Sequence, residues 1–225
     1  MLKWSYLSEM KYLFFDIECA KCDKSGFSIC EFGYVLTDER FGIVEKDHFM
    51  INPDSEFDEY NLSHILKYSK EEYEACPKFP EFYPRIAALL TDPEHTVIGH
   101  STMFDYNFLS SECQRYELPL IDFKYYDIRP PYEVLLHYPQ AVSLGKMMDE
   151  LNLKKPGSLH DATVDAWSTM MVCRELCMRY SKTVDTLFLL KPKKKSKTVA
   201  KTKGHTALGD QLKAKGIDLS KLCAE

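Results

Sequence analysis

Residues Tyr12-Leu13-Phe14-Phe15-Asp16-Ile17-Glu18-Cys19 form an apolar run interrupted by two carboxylates. Tyr12, Leu13, Phe14, Phe15 and Ile17 suit a buried strand. Asp16 and Glu18 are two apart, so in a strand they share one face. Two charges on so apolar a strand are costly unless something neutralises them. A divalent cation does so well, because hard cations take oxygen ligands. A strand end facing water would also accommodate a lone D-x-E pair, so the rest of the site must come from elsewhere in the chain.

Two later segments carry suitable groups. In Val97–Leu109, Val97 and Ile98 end a short strand, Gly99 permits a turn, and Ser101 or Thr102 can cap a helix. Asp105 then falls in the first helical turn, where an acid is favoured by the helix dipole alone. The segment Leu159-His160-Asp161-Ala162-Thr163-Val164-Asp165 opens a long helix running to about Tyr180. His160 and Asp165 are about 140° apart on a regular helix, so they converge only if His160 lies in the loop before it. The plainer alternative is a solvated helix start capped by Asp161.

Together these three segments resemble the histidine-bearing subclass of the DEDD, or DnaQ-like, 3′–5′ exonucleases. That group includes the proofreading epsilon subunit of bacterial DNA polymerase and ribonuclease T. The resemblance covers roughly residues 11–180 and rests on Asp16-x-Glu18, Asp105 and His160-x-x-x-x-Asp165. The helix Ser143–Leu151 precedes His160 as a similar short helix does in the family. Two positions depart from the pattern. Cys19-Ala20 stands where the family often has Thr, and Ser101 replaces the Asn of an H-N-x-x-F-D segment.

The resemblance implies phosphodiester hydrolysis with two divalent ions, Mg²⁺ or Mn²⁺, about 4 Å apart across the scissile phosphate. The implied metal ligands are Asp16, Glu18, Asp105 and Asp165, with Asp16 bridging and Asp105 acting largely through metal-bound water. His160 is the implied general base, since imidazole has an ordinary pKa of about 6.5. Ile17, through its backbone, and Cys19, Ala20, Ser101 and Phe104 are the implied substrate contacts. Phe104 is equally suited to core packing or to stacking on a terminal base.

The order of elements agrees with a ribonuclease-H-like α/β fold. Residues 11–19, 28–37 and 42–51 read as an antiparallel meander, followed by a helix at 79–91, a strand at 95–99 and a helix at 103–116. A strand at 122–128 and helices at 143–151 and 161–180 complete a mixed five-stranded sheet with helices on both faces. Eight scattered Cys fit a reducing, cytoplasmic setting, and no apolar run has membrane-spanning length. Cys19-x-x-Cys22 with Cys30 lacks a second pair to complete a zinc site, so these read as ordinary thiols. Cys173 and Cys177 share a core stripe of the last helix.

Charge divides the chain. Residues 1–190 carry 19 Lys/Arg against 31 Asp/Glu, a net of −12, while residues 191–203 contain seven Lys and no acid. An exonuclease domain over 1–190 is therefore expected to be followed by a basic flexible linker at 191–203. That run is either a phosphate-tracking arm or a solvated connector. The short segment 204–225 has room for one helix around Ala207–Lys215. Its Leu208, Leu212, Ile217, Leu219 and Leu222 could dock on a polymerase, another partner or the catalytic domain. The expected function is a 3′–5′ exonuclease on single-stranded nucleic acid, DNA favoured. The alternatives are an exoribonuclease of the same fold and a non-catalytic binding or polymerase-docking accessory protein.

Overall fold

The computed structural model describes residues 10–23, 26–139, 141–154, 157 and 161–192. The linker from residue 193 and the segment 204–225 lie outside the described residues, as does His160. Three strands, β1 (Lys11–Asp23), β2 (Gly26–Thr37) and β3 (Ile43–Met50), form the expected antiparallel meander. Two parallel strands, β4 (His95–Gly99) and β5 (Tyr125–Asp127), extend it on the other side. The order β3-β2-β1-β4-β5 places the apolar first strand at the centre, where both of its faces are covered.

Alternation along β1 divides the core into layers. Leu13, Phe15, Ile17 and Cys19 face one layer, built with α3 (Phe79–Thr91) and α4 (Met103–Arg115). Phe14 faces the opposite layer with Val35, Ile98, α6 (Leu144–Glu150) and α7 (Ala162–Arg179). Cys173 and Cys177 belong to that second layer, as their stripe predicts. Further along the α7 side of β1, Ala20 is covered with Cys30 by Leu66 and Tyr73. That cover comes from α1 (Glu59–His64), α2 (Lys70–Glu74) and the chain between them. Cys19 and Cys30 thus belong to different core layers, which separates them as co-ligands. Among the described residues no helix is long and apolar enough to cross a membrane.

Four short helices are absent from the sequence expectation: α1, α2, α5 (Arg129–Leu135) and α8 (Val184–Phe188). All are five to seven residues long, too short for periodicity to show, and two start on capping boxes, at Ser69 with Glu72 and Thr183 with Thr186. The last strand is three residues rather than seven, because only Val97–Gly99 of the short β4 is available to pair with it. The predicted beginning of this strand still contributes Phe123 to the core, alongside Ile121 just before it. Conversely β1 and β2 run longer than expected, past register shifts on both sides of Cys19.

Beside that slip the Ile29 amide donates to Glu112 Oε1 at 3.1 Å. Glu112 is 1 % exposed, and burial pushes its carboxyl up to about 7, against the opposing pull of the Ile29 amide and Arg115. Between its ordinary value of 4.5 and about 7 the folded chain therefore holds a proton that the unfolded chain has released. The resulting stabilisation is complete below the lower value and is lost as pH rises through the upper one. Glu112→Gln should accordingly melt with the parent at pH 4. At pH 8 it should be more stable by on the order of 2 kcal/mol. Equal melting differences at both pH values, measured by calorimetry, would contradict this assignment.

Candidate metal and catalytic site

Asp16 and Glu18 lie on the α7-facing side of β1, between Phe14, which is core, and Ala20, which is covered by the α1–α2 segment. The third group comes from α7. Asp161 caps that helix, accepting the Thr163 and Val164 amides at 3.1 Å each. The Lys67 ammonium contacts the cap at 2.8 Å. Burial pushes the Asp161 carboxyl up, but Lys67 and the Val164 amide outweigh it and hold the carboxyl below its ordinary value. Asp165, one turn into the helix, then points at β1. Oxygens of Asp16, Glu18 and Asp165 all lie within 4.8 Å of one another.

Gly33 makes this approach possible. It pairs with Asp16 across β1 and β2, and a Cβ built there would lie 2.3 Å from both the Ala162 carbonyl carbon and the Thr163 nitrogen. The first turn of α7 thus rests directly on strand backbone, which sets the height of Asp165 above the sheet.

Asp105 reaches the site by another route. The parallel pairing of β1 with β4 covers only Lys11–Phe14, so beyond it β1 has an open edge. The start of α4 lies against this edge, and the Ile17 amide donates to the Asp105 carboxylate. Asp105 is 5 % exposed and is not one of the three converging groups. Burial holds its carboxyl well above the usual range, and the charges of Glu18 and Asp127 add to the effect. Asp16 retains part of its residue surface, yet its carboxyl is withdrawn from water. Burial drives it well above the usual range, and Asp105, Glu18, Asp165 and Glu31 push it further. This crowding of oxygen donors favours a hard divalent cation, which would relieve the repulsion the carboxylates impose on one another.

The turn before α4 is pinned differently from the sequence expectation. Neither Ser101 nor Thr102 caps the helix through its side chain. Thr102 Oγ1 instead donates to the Tyr126 carbonyl at 3.2 Å. Ser101 adopts a left-handed φ of 62°, a conformation in which Asn is favoured over Ser. Its amide donates to Asp127 Oδ1 at 3.1 Å, and the same carboxylate is gripped by the Arg129 side chain. Asp127 was not readable as a site residue, because its role depends on β5 lying beside β4. Gly99 matters less as a turn than as space, since a Cβ would come within 2.8 Å of Thr102 Oγ1.

The expected substrate contacts separate into two groups. Phe104 is 57 % exposed beside buried Asp105, which excludes the core-packing alternative. Ile17 has its side chain in the core and its amide engaged by Asp105. The side chains of Cys19 and Ala20 are buried in opposite layers. Their carbonyls accept from Asn61 Nδ2 and the Asp58 amide. Period-2 alternation sends Cys19 into the α3–α4 layer, whereas Ala20 shares the face of Asp16 and Glu18 and is covered there by Leu66 and Tyr73.

The model of a family described as "Exonuclease" matches residues 13–173. No curated protein sequence matches the chain. Among solved structures, the nuclease domain of 3′hExo, described as a DEDDh family member bound to rAMP, superposes with a TM-score of 0.63 at 17 % identity. That match covers 77 % of this chain and 94 % of the other. E. coli exonuclease I in complex with a dA16 oligonucleotide gives a TM-score of 0.67 at 18 % identity, over 80 % of this chain and 43 % of that one. A 3′-exonuclease recognising the histone mRNA stem-loop gives 0.66 at 16 %, over 76 and 65 %. The matches thus span less than half of exonuclease I and just under two thirds of the stem-loop enzyme. At these identities the likeness establishes the ribonuclease-H-like fold.

Gly33→Ala tests the seat of α7. The added methyl meets backbone that cannot rotate away, so the helix must lift. A loss of about 1–3 kcal/mol in stability is expected, together with weakened Mn²⁺ binding by calorimetry. Native stability and metal binding in this variant would show that the contact does not set the position of Asp165.

Proposed function

Because the chain belongs to the exonuclease family, whose model matches residues 13–173, we propose that it is a divalent-metal-dependent 3′–5′ exonuclease. In this reading it releases nucleoside 5′-monophosphates from single-stranded nucleic acid, DNA favoured. The observation that carries the proposal is the convergence of Asp16, Glu18 and Asp165, from two distant segments, to within 4.8 Å. RNA is the second reading, because structural relatives include one bound to rAMP and one recognising an mRNA stem-loop.

Asp16, Glu18 and Asp165 would hold the ions, with Asp16 central and Asp105 one layer back. All-oxygen donors suit Mg²⁺ or Mn²⁺. When bound, a pair of such ions lowers the pKa of the attacking water and offsets charge developing on the leaving 3′-oxygen. His160 is assigned the water's proton, by its place in the family pattern, five residues before Asp165. Phe104, exposed at the start of α4, offers a face on which a terminal base of any identity can stack. The Lys-rich run at 191–203 is assigned to non-specific phosphate contact, and 204–225 to docking on a protein partner.

End-labelled single-stranded DNA and RNA, incubated side by side with Mg²⁺ or Mn²⁺, give activity, polarity and sugar preference in one experiment. Asp16→Asn and Asp165→Asn should lose nearly all hydrolysis while melting as folded proteins, and EDTA should silence the parent. Full activity in either variant at matched metal would refute the proposed ligand set. His160→Ala should slow turnover by roughly 10²–10⁴-fold and alter the acidic limb of the pH–rate profile. If both stay as in the parent, the proton goes elsewhere.

A further inference from the structure

Glu31 is a buried carboxylate that the proposed chemistry does not use. It stands directly opposite Glu18 in the β1–β2 pairing and is 0 % exposed. Like charges facing each other across a strand pair are destabilising, and burying them compounds the cost. The surrounding structure nevertheless secures Glu31 on both oxygens. The Tyr73 hydroxyl donates to Oε1, and His48 Nε2 contacts Oε2 at 2.9 Å. His48 is in turn stacked on Tyr68, with ring centroids 6.1 Å apart. Tyr73 is 0 % exposed, at the heart of the segment that covers Ala20 and Cys30. With both oxygens engaged, Glu31 is not among the three converging groups, although its charge is felt at Asp16.

From this geometry we infer that Glu31 is a positioning residue for the metal centre, clamped by Tyr73 and His48 so that its carboxylate opposite Glu18 strengthens divalent-ion binding. The inference rests on the metal-site reading proposed above. A group behind the ligands acts in two ways. Its field favours a cation at the ligand oxygens, and its repulsion of Glu18 directs that side chain toward Asp16 and Asp165. Outer groups of this kind are worth roughly 10–100-fold in metal affinity elsewhere. The clamp also explains why α1 and α2 lie over the end of β1, since they deliver Tyr73 to Glu31.

Glu31→Gln keeps the shape of the clamp and removes the charge. Isothermal titration of the full chain with Mn²⁺ should show binding weakened about tenfold, with melting of the metal-free protein unchanged. Glu31→Asp, which retains the charge at shorter reach, should bind Mn²⁺ closer to wild type than Glu31→Gln does. Equal weakening in both variants would make Glu31 a packing residue and overturn the inference, as would unchanged affinity in Glu31→Gln. Should Gln at this position not fold, Tyr73→Phe frees one oxygen while keeping the charge, and unchanged affinity there overturns the clamp. Asp16→Asn separates the two readings. If wild type binds Mn²⁺ and Asp16→Asn does not, the ligand set stands whatever Glu31 does. If wild type fails to bind, the metal site itself is wrong and this inference falls with it.

Discussion

The contact between Gly33 and the first turn of α7 governs the rest of the site. Helices pack on sheets at a distance set by side chains, and with a side chain at position 33 Asp165 would stand off from the strand that carries Asp16 and Glu18. Removing the Cβ at one position lets helix backbone touch strand backbone, with separations that would be 2.3 Å to any added methyl. The three carboxylates then meet within 4.8 Å. Asp161 fixes the rotation of the same turn by capping it, and Lys67 holds the cap in place. Height and rotation are therefore set by different residues.

The second constraint is the shortness of β4. Because it pairs with β1 only as far as Phe14, the central strand presents its backbone to α4 at the place where its carboxylates begin. Asp105 occupies that position and takes the Ile17 amide. The helix carrying it is fixed from the side by Asp127, Arg129 and the Tyr126 carbonyl, all in or beside the edge strand. The notch in the sheet and the residues that fill it thus form one unit with the cluster of Asp16, Glu18 and Asp165.

Much of this was legible in the chain. Period-2 alternation placed Asp16 and Glu18 on a common face, and the strand–helix boundary placed Asp105 in the first turn of α4. The Asp161 cap followed from its residue type. What stayed hidden depends on contacts between segments far apart in sequence. Gly33 looks like any strand glycine until α7 is laid across it. Asp127 and Glu31 look like ordinary acids until their partners arrive from other elements. Cys19 and Ala20 stand among the expected contacts only through their place in the family pattern, and the burial of their side chains depends on layers built by α3, α4 and the α1–α2 segment. The short helices were missed because five to seven residues hold too few turns for a hydrophobic period, although Ser69 with Glu72 carries a capping signal.

The distance in sequence between Gly33 and α7 has a consequence for synthesis. The β1–β2 hairpin forms from neighbouring residues early, whereas its partner helix closes a loop of more than a hundred residues, an entropically slow step. A nascent chain shorter than residue 165 holds Asp16, Glu18 and Asp105 but lacks the last carboxylate and the helix that seats it. The centre is therefore assembled only when α7 has been made and docked.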